Sequence, residues 1–453
     1  MPPPPSSPTA FVVTLPPPWP GFFCFPGSSY WMKDCCAPVF FFMVFSLEGS
    51  LLERYVLLMS EATLEFGQPS GEVERQKLGD VLAESFDFPA ANASGWFDYA
   101  GHENMRVLRR QGEIIGGLLG IPMGQYFGSR SVRLFGVAGV GVAPWARGGG
   151  VATWMMGEAV REARKAGYPL AGLYPATQPV YRKVGYEQAG VRCEMRVPVA
   201  FLPAGERGPT MRPYRKEDLP VLQALYREVA RTRQGWLDRG PYVWHRVLFP
   251  RGMTVTGYVL EEGGQPTGYA FVARVKRPDD PLRFDLVLTD LIARSAAGWK
   301  RLLTFLADHA SMVRDVVWFG GPNDPLVHLF REQTVSTQVQ SHWMLRVLDV
   351  ASALSSRGYP RGLSATLHLE VEDPLLPEQA GRWVLEVSGG EAQVRRGGEG
   401  HLKCDARALA PLYAGHRTAT ALASVGALQA TSEALEVAEA LFAGPAPAMP
   451  DMY

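Results

Sequence analysis

The sequence predicts a chain of mixed class, in which two successive α/β units are followed by an α+β unit. In the α/β units, strand patterns with an apolar residue at every second position alternate with helix patterns. The strand pattern over residues 131–142 leads through three consecutive glycines into a helix. Beyond residue 345 the strand patterns come first and the helices follow, which is typical of an α+β domain.

Composition limits the classes of function. The 453 residues carry 45 basic and 45 acidic side chains, so charge does not favour binding to nucleic acid or to an anionic membrane. Five scattered cysteines, of which only Cys35 and Cys36 adjoin, favour reduced thiols and a cytoplasmic setting over a disulfide framework. No spacing of metal ligands is found, so we expect no metal ion.

Residues 1–58 differ from the rest of the chain. They contain PPPP, LPPPWP and the apolar patch PVFFFMVFSL, but their first basic residue is Lys33, unlike the charged start of a signal peptide. The patch is shorter than the ~20 apolar residues that a membrane-spanning helix needs. We interpret the segment either as a translated leader upstream of a natural start at Met59 or as a poorly ordered functional tail.

The first α/β unit is predicted over residues 59–200. Ser70 is expected to cap its first helix, whose apolar stripe runs from Val73 to Phe86 and includes Leu78 and Leu82. The strands are predicted at residues 63–66, 105–108, 114–121, 131–142, 169–174 and 191–197, and a short helix at residues 178–184.

The glycines at residues 148–150 open a helix directly after a strand. A helix N-terminus carries unpartnered backbone N–H groups and a partial positive charge, so it attracts phosphate. Glycine lets the phosphate reach the main chain, and Arg147 adds a bidentate donor. A flexible turn without a ligand is the plain alternative. A Rossmann dinucleotide site is disfavoured because the GxGxxG pattern and its acidic partner are missing.

The stretch VGVAPWARGGGVA resembles the acetyl-coenzyme A loop of the GNAT N-acetyltransferase superfamily, in which Arg147, Gly150 and Ala152 fill the three characteristic places. The stretch YPATQPVYRKVGYE resembles the second signature of that superfamily, with Tyr181 four residues before Gly185 and Tyr186. The resemblance implies acetyl-coenzyme A as co-substrate. The residues that it implies for binding are Val140, Gly141, Val142, Arg147, Gly148, Gly149, Gly150, Val151, Ala152, Thr153, Ala176 and Thr177.

The resemblance also implies the chemical roles. Backbone N–H groups beside Val140 and Val142 polarise the thioester carbonyl, and Tyr181 protonates the departing thiolate. Tyrosine has a reference pKa of about 10, so it is protonated and able to donate at neutral pH. Glu187 is close to Tyr181 in sequence, but adjacency along the chain does not make it the base.

The rest of the chain narrows the resemblance. Residues 201–345 repeat the strand, turn and helix order in LTDLIARSAAGWKRLLTFLADHA but lack the glycine pattern, so they are interpreted as a degenerate second copy without cofactor, with an unrelated α/β domain as the alternative. Residues 346–453 contain ATLHLEVED, RWVLEVSGG and EAQVRR as antiparallel strands, followed by helices over residues 405–413, 419–424 and 432–442. Two tandem GNAT-type units, the second degenerate, and a terminal unit similar to sterol carrier protein resemble the enhanced intracellular survival (Eis) family.

That family implies further expectations. Its C-terminal α-carboxylate returns to the first unit as the catalytic base, which makes Tyr453 the second predicted catalytic residue. Glu84, Asp87, Trp96 and Phe97 lie in the region of its acceptor pocket, whose acidic and aromatic lining suits cationic amines. It also implies aminoglycoside or lysine amines as acceptors and a hexameric, cytoplasmic protein.

The sequence therefore predicts an N-acetyltransferase that moves an acetyl group from acetyl-coenzyme A directly to a primary amine of a small molecule or of a protein lysine. The expected partners include neither nucleic acid nor a membrane. A non-catalytic coenzyme A-binding protein, or a lipid carrier that uses the last unit, is the alternative.

Overall fold

The computed structural model describes residues 64–453. The predicted leader, residues 1–58, and the start of the first predicted strand at Thr63 lie outside the described residues. Within the described part of the chain, none of the helices combines the length and the apolar character needed to span a membrane.

The first α/β unit follows the predicted order, and most of its strands are longer than their sequence patterns. Strand β3 is buried along almost its whole length because neighbouring strands pair with both of its edges and apolar side chains cover both of its faces. Its apolar run is therefore nearly continuous. The elements are β1 Leu64–Gly67, α1 Glu72–Phe86, α2 Asn92–Ala100, β2 Met105–Arg110, β3 Glu113–Phe127, β4 Arg130–Val142, α3 Val151–Lys165, β5 Leu170–Leu173, α4 Gln178–Lys183 and β6 Glu187–Pro198.

Helix α1 corrects the prediction at its start. Its N-cap is Gly71 without a side-chain cap, so the predicted Ser70 cap is wrong. Ser70 instead donates its backbone N–H to the carboxylate of Glu74 at 2.6 Å. In the predicted apolar stripe the central residues Leu78 and Leu82 are buried, whereas the end residues Val73 and Phe86 are exposed.

The second α/β unit repeats the strand, turn and helix order. Where the first unit has glycines, the second has Ser295, whose hydroxyl accepts a hydrogen bond from the N–H of Gly298. The helix after β11 is therefore capped by the Ser295 side chain. The elements are β7 Thr210–Pro213, α5 Leu219–Ala230, β8 Leu237–Asp238, α6 Pro241–Leu248, β9 Val255–Glu262, β10 Gln265–Lys276, β11 Phe284–Ala293, α7 Ala296–Ala307, β12 Val313–Gly320 and β13 Ser336–Val347.

The two α/β units exchange strands and share one sheet. Strand β13 lies between β5 and β6 of the first unit, and β6 pairs on its other edge with β12 of the second. The order along the sheet is β1-β2-β3-β4-β5-β13-β6-β12-β11-β10-β9-β7, and β8 pairs with β3. The exchange brings residues of the second unit next to the strands that carry the predicted site.

The third unit has a five-stranded sheet with helices, as the order of its patterns predicts. The paired glycines at the β15–β16 turn, Gly389 and Gly390, have φ of 62° and 86°, a conformation that favours glycine. The three predicted strands, β14, β15 and β16, pair antiparallel as expected, and the unpredicted strand β17 adds to β14 in parallel. The elements are α8 Val350–Ser356, β14 Ala365–Glu372, β15 Gly381–Ser388, β16 Glu391–Arg396, β17 Leu402–Asp405, α9 Ala406–Ala414, α10 Ala419–Ser424, β18 Leu428–Ala430 and α11 Ser432–Phe442.

Strands β4 and β5 are covered by apolar side chains on both faces. Phe135 and Val137 belong to the cluster that packs against α3, whereas Leu134 and Ala138 belong to the cluster that packs against α1. This alternation follows from the two-residue period of a strand. The predicted site lies where these two strands separate.

Candidate active site

Strands β4 and β5 pair over only part of their length. Their parallel pairing ends at Val137 and Leu173, while β4 continues to Val142. A β-bulge in β4, opposite the Gly117–Leu119 segment of β3, lies at the point of separation. Gly139 in this bulge has φ of 58°, which an L side chain rarely adopts. The result is an opening between the strands, lined on one side by the end of β4.

The backbone of β4 directs hydrogen-bonding groups into this opening. Ala143 donates its N–H to the carbonyl of Ile115 at 2.8 Å, so this residue faces β3. Because successive residues of a strand point their N–H groups to opposite edges, the N–H group of Val142 faces the opening, whereas the bulge at Gly139 and Val140 interrupts this alternation. The predicted amide of Val142 therefore lies on this edge.

Helix α3 begins at the same end of β4. Gly148, Gly149 and Gly150 have φ of 91°, 55° and 79°, so all three adopt a left-handed conformation. A Cβ on Gly148 or Gly149 would have nothing within 4 Å, which leaves open space above the loop. The N–H of Val151 donates to Gly148, whereas those of Ala152 and Thr153 have no partner among the described residues.

Arg147 connects the glycine loop to β4. Its Nε donates to the carbonyl of Val142 at 3.0 Å. Its two terminal nitrogens make no hydrogen bond to a described residue, so they remain available to an anion at the helix entrance. The predicted loop residues are thus brought together at one site.

Tyr181 lies on α4, on the α3 side of the sheet. Its side chain is buried in the same apolar cluster as β4 residues Phe135 and Val137, and its ring packs edge-on against Tyr186, with ring centroids 6.3 Å apart. Burial raises the pKa of Tyr181 to about 12. The phenol therefore stays protonated at neutral and moderately alkaline pH.

The C-terminal residue lies on the opposite side of the same strands. Gly136 of β4 and Gly172 of β5 are direct partners, and together they form a notch that holds the ring of Tyr453. A Cβ on Gly172 would lie 2.9 Å from the Tyr453 hydroxyl, and one on Gly136 would lie 3.1 Å from its ring. Tyr174 packs edge-on against this ring at 5.9 Å.

Backbone hydrogen bonds hold the C-terminal tail, residues 447–453. Val191 of β6 donates to Pro447, and Met449 donates to Val191. Tyr174 donates its hydroxyl to the carbonyl of Asp451 at 2.8 Å. The tail is thus held by β6 and by Tyr174, which directly follows β5. These contacts position its last residue.

A buried ionic cluster fixes the tail from the second unit. Arg239 contacts the carboxylates of Asp290 and Asp451, and the distance from its Nη2 to Asp451 is 2.8 Å. The side chains of all three are at most 5% exposed. Two carboxylates around one buried guanidinium satisfy its charge, and removing the cation would leave both unpaired.

Other residues considered from the sequence take ordinary structural places. Glu187 is ion-paired with Arg182 and Arg407; burial raises its pKa, but these hydrogen bonds outweigh that effect and the pKa is lowered. Ala176 and Thr177 are exposed at the start of α4, and the Thr177 hydroxyl makes no cap hydrogen bond.

The aromatic residues of the expected acceptor region already make contacts within the protein. Trp96 and Phe97 are buried, and the indole N–H of Trp96 donates to the hydroxyl of Tyr242 at 3.1 Å. The guanidinium of Arg251 lies 4.3 Å from the centre of the Trp96 ring. Glu84 and Asp87 are exposed.

One cluster of possible metal ligands lies in the third unit, although the sequence shows no metal-ligand spacing. Ligand atoms of His368, Glu399 and His401 lie within 4.8 Å of one another. The Nδ1 atom of His368 accepts the backbone N–H of Glu399 at 3.0 Å, so one nitrogen already has a partner. The group lies on the third unit, not at the strand opening.

Sequence reasoning missed the notch and the ionic cluster. Gly136 and Gly172 carry no motif, and their meaning depends on the register of two strands. Arg239 and Asp451 are 212 positions apart, so no local pattern joins them. The only available signal was the resemblance that assigned a function to the chain end.

Comparisons with known proteins agree with this architecture. Sequence profiles of the acetyltransferase (GNAT) domain match residues 69–189 and 235–347, and a profile of the sterol carrier protein domain matches residues 350–450. The prediction of two GNAT-type units, including the second, and of a terminal unit similar to sterol carrier protein is therefore confirmed.

Individual relatives are consistent with these profiles. The chain is 29% identical over 333 residues to N-acetyltransferase Eis of Mycobacterium tuberculosis, covering 69% of this chain and 78% of that protein. It is 34% identical to a GCN5-related N-acetyltransferase of Anabaena variabilis, with a TM-score of 0.83 over 86% of this chain and all of that one. The fold of Eis1 from Mycobacterium abscessus is also similar, with 24% identity and a TM-score of 0.71 over 86% of this chain and all of that one.

The profile matches, the relatives and the separated strands with a glycine-bounded helix entrance all indicate one class of enzyme. Members of this class use acetyl-coenzyme A as co-substrate. The chain therefore belongs to the GCN5-related N-acetyltransferases, is similar to their Eis members, and is an acetyltransferase.

Proposed function

We propose that this protein transfers the acetyl group of acetyl-coenzyme A directly to a primary amine in a ternary complex. The observation that carries the proposal is the position of the two predicted catalytic residues. Tyr181 packs in the apolar cluster on the α3 face of β4 and β5, and the ring of Tyr453 lies on the opposite face, against Gly136 and Gly172, one residue before the strands separate. An acid on one face and a base on the other suit a thioester held between them.

The donor end of the site is the helix entrance. The unpartnered N–H groups of Ala152 and Thr153, the open space above the glycines and the free nitrogens of Arg147 suit a pyrophosphate. The pantetheine arm would then follow the free edge of β4. The N–H groups of Val140 and Val142 would donate to the thioester oxygen as negative charge develops there.

The proton transfers follow from this placement. The α-carboxylate of Tyr453 accepts a proton from the acceptor ammonium, the amine nitrogen bonds to the acetyl carbon, and the carbon–sulfur bond breaks. Tyr181 donates its proton to the departing thiolate, and the second proton that the nitrogen loses on forming the amide returns the phenol to its protonated form through solvent. A carboxylate in water is a weak base, with a reference pKa of about 3.5, so burial or a water relay would be needed to strengthen it as a base.

The acceptor is a primary amine of a small molecule or of a protein lysine, and aminoglycoside amines are the small-molecule class that the resemblance implies. The scheme requires no metal, since both proton transfers are assigned to groups of the chain. The hexameric state and the cytoplasmic location stay predictions made from the resemblance and the sequence.

A one-residue extension tests the base. Adding glycine after Tyr453 keeps its ring but turns its carboxylate into an amide and moves the new carboxylate by ~3.8 Å. We expect acetylation, followed as free thiol release, to fall by ~10²-fold or more, with unchanged affinity for acetyl-coenzyme A and unchanged thermal stability. An N-terminal glycine extension is the matched control. Full turnover in the C-terminal extension would exclude the proposed base.

A further inference from the structure

A cavity of about 300 Å³ lies beside the C-terminal tail, between β6, α6 and the loop that follows α6. Three arginines line it: Arg192 of β6, Arg246 of α6 and Arg251 of the loop that follows α6. Pro450, Asp451 and Met452 of the tail form another wall. We call this space the arginine cavity.

Two of the arginines are held in place by the tail itself. The Nε of Arg192 donates to the carbonyl of Pro450 at 2.8 Å, and the Nε of Arg246 donates to the carbonyl of Met452 at 2.9 Å. Arg192 is also stacked on Phe319, at 3.5 Å from the ring centre. These contacts use one nitrogen or the flat face of each group and leave the terminal nitrogens free.

No ion pair joins any of the three guanidinium groups to a carboxylate among residues 64–453, although carboxylates neutralise many other arginines of the chain. Asp451 lines the cavity, but its carboxylate is held by Arg239. Burial is the largest influence on the pKa of Arg192 and lowers it; the charges of Tyr174, Asp451 and Glu194 act against this, and the Arg246 cation adds to it. Three guanidinium groups thus line one cavity without an ion-paired carboxylate of their own, and this arrangement favours an anion.

The position of the cavity relates this anion to the reaction. Met452 lines the cavity and immediately precedes Tyr453, whose α-carboxylate is the base of the proposed function. Arg251, which lines the cavity, also covers the Trp96 ring, a ring that a cationic amine would otherwise contact. An acceptor whose amine reaches the chain end would therefore place its remaining part among arginines.

We propose that the acceptor of this acetyltransferase is an amine that also carries an anionic group, such as a carboxylate, and that the arginine cavity binds this group. The inference rests on the proposed function, because it takes the chain end as the position of the reacting amine. It departs from the aminoglycoside acceptors that the resemblance implies, because the three arginines would repel such polycationic amines.

Three amines of equal chain length test the inference. 6-Aminohexanoate, 6-aminohexanamide and 1,6-diaminohexane present a negative, a neutral and a positive end group with similar amines. We expect kcat/KM, measured by thiol release, to be highest for 6-aminohexanoate and to exceed that of the amide by about tenfold or more. Equal values, or a preference for the diamine, would overturn the inference.

Variants locate the effect. Arg251→Gln removes a charge that has no hydrogen bond to the tail, so it should raise KM for 6-aminohexanoate by several-fold, narrow its advantage over the amide and leave KM for acetyl-coenzyme A unchanged. Arg246→Gln should lower the ratio of kcat/KM for 6-aminohexanoate to kcat/KM for 6-aminohexanamide further. Arg395→Gln, an exposed arginine of β16, is the control and should change neither value. An unchanged ratio in Arg251→Gln and Arg246→Gln, or a raised KM for acetyl-coenzyme A, would contradict an acceptor site here.

Calorimetry separates this inference from the proposed function. The same three amines are titrated into the full-length protein without acetyl-coenzyme A. Tightest binding of 6-aminohexanoate, with weakening in Arg251→Gln, would support the arginine cavity even if no amine were acetylated, and that absence of turnover would count against the proposed function alone. Turnover combined with equal binding of all three amines would overturn the inference about the arginine cavity and leave the proposed function intact.

Discussion

Gly172→Ala tests whether the notch between β4 and β5 positions the chain end. The added Cβ would lie 2.9 Å from the Tyr453 hydroxyl and 3.3 Å from a methyl group of Leu134. The first contact is shorter than carbon and oxygen tolerate without a bond. The hydroxyl is the end of a rigid ring, and the facing Gly136 has no side chain that can move aside, so the ring itself must shift.

The size of the effect follows from this overlap. Overpacking of a buried site costs ~1–3 kcal/mol, which corresponds to a fall in Tm of ~1–4 °C for a cooperative unit of roughly this length. Activity should fall much more, because a displacement of ~1 Å in a catalytic group can reduce the rate by ~10²-fold. The affinity for acetyl-coenzyme A should not change, since the glycine loop is untouched.

The assay combines thiol release, thermal unfolding and calorimetric titration of acetyl-coenzyme A. Gly157→Ala on α3 is the matched control, because a Cβ there would approach no atom closer than 3.6 Å. A Gly172→Ala variant with wild-type kcat would refute the placement of the base by the notch. A loss of acetyl-coenzyme A affinity equal to the loss of kcat would show that Gly172 supports the donor site instead.

Further predictions concern the acid, the ionic cluster and one buried histidine. Tyr181→Phe should lower kcat by ~10²–10⁴-fold at constant acetyl-coenzyme A affinity, and because the pKa of Tyr181 is raised to about 12, wild-type kcat should show no tyrosine-dependent loss near pH 10. Arg239→Gln leaves two buried carboxylates without their cation and should lower the free energy of unfolding by ~3–5 kcal/mol, measured in urea. Burial lowers the pKa of His416 to about 4, so the unfolded chain binds a proton more readily and stability should fall as pH drops from 6.5 to 4. His416→Asn should remove up to ~3 kcal/mol of that fall, and an identical pH profile in the variant would contradict it.

Local patterns predicted most elements of the fold. The strand, turn and helix around residues 148–150 were recognised because apolar periodicity and consecutive glycines are local signals. The three helices predicted in the third unit, at residues 405–413, 419–424 and 432–442, lie within one residue of their observed bounds for the same reason, whereas α8 was not predicted. The Ser70 cap was wrong, since the choice between adjacent cap positions depends on where Glu74 directs its carboxylate.

Contacts between residues far apart in the chain could not be predicted from local sequence patterns. The exchange of β13 and β6 depends on which strand edges meet, and an apolar period gives no partner for a strand. The arginine cavity was equally hidden, because Arg192, Arg246 and Arg251 converge only after this exchange. The placement of Tyr453 came from family resemblance, and the residues that hold it, such as Gly172, carried no signal of their own.

The donor site at the glycine loop is the central claim, and calorimetric titration of acetyl-coenzyme A into two glycine variants tests it most directly. Gly149→Ala and Gly263→Ala impose the same left-handed strain of ~1–2 kcal/mol, since the two glycines have φ of 55° and 59° and open space around each Cβ position. We predict saturable binding to the wild type and to Gly263→Ala, and at least ~10-fold weaker binding to Gly149→Ala, whose methyl group would stand where the pyrophosphate approaches the backbone. Wild-type affinity in Gly149→Ala, or no binding by the folded wild-type protein, would contradict the account.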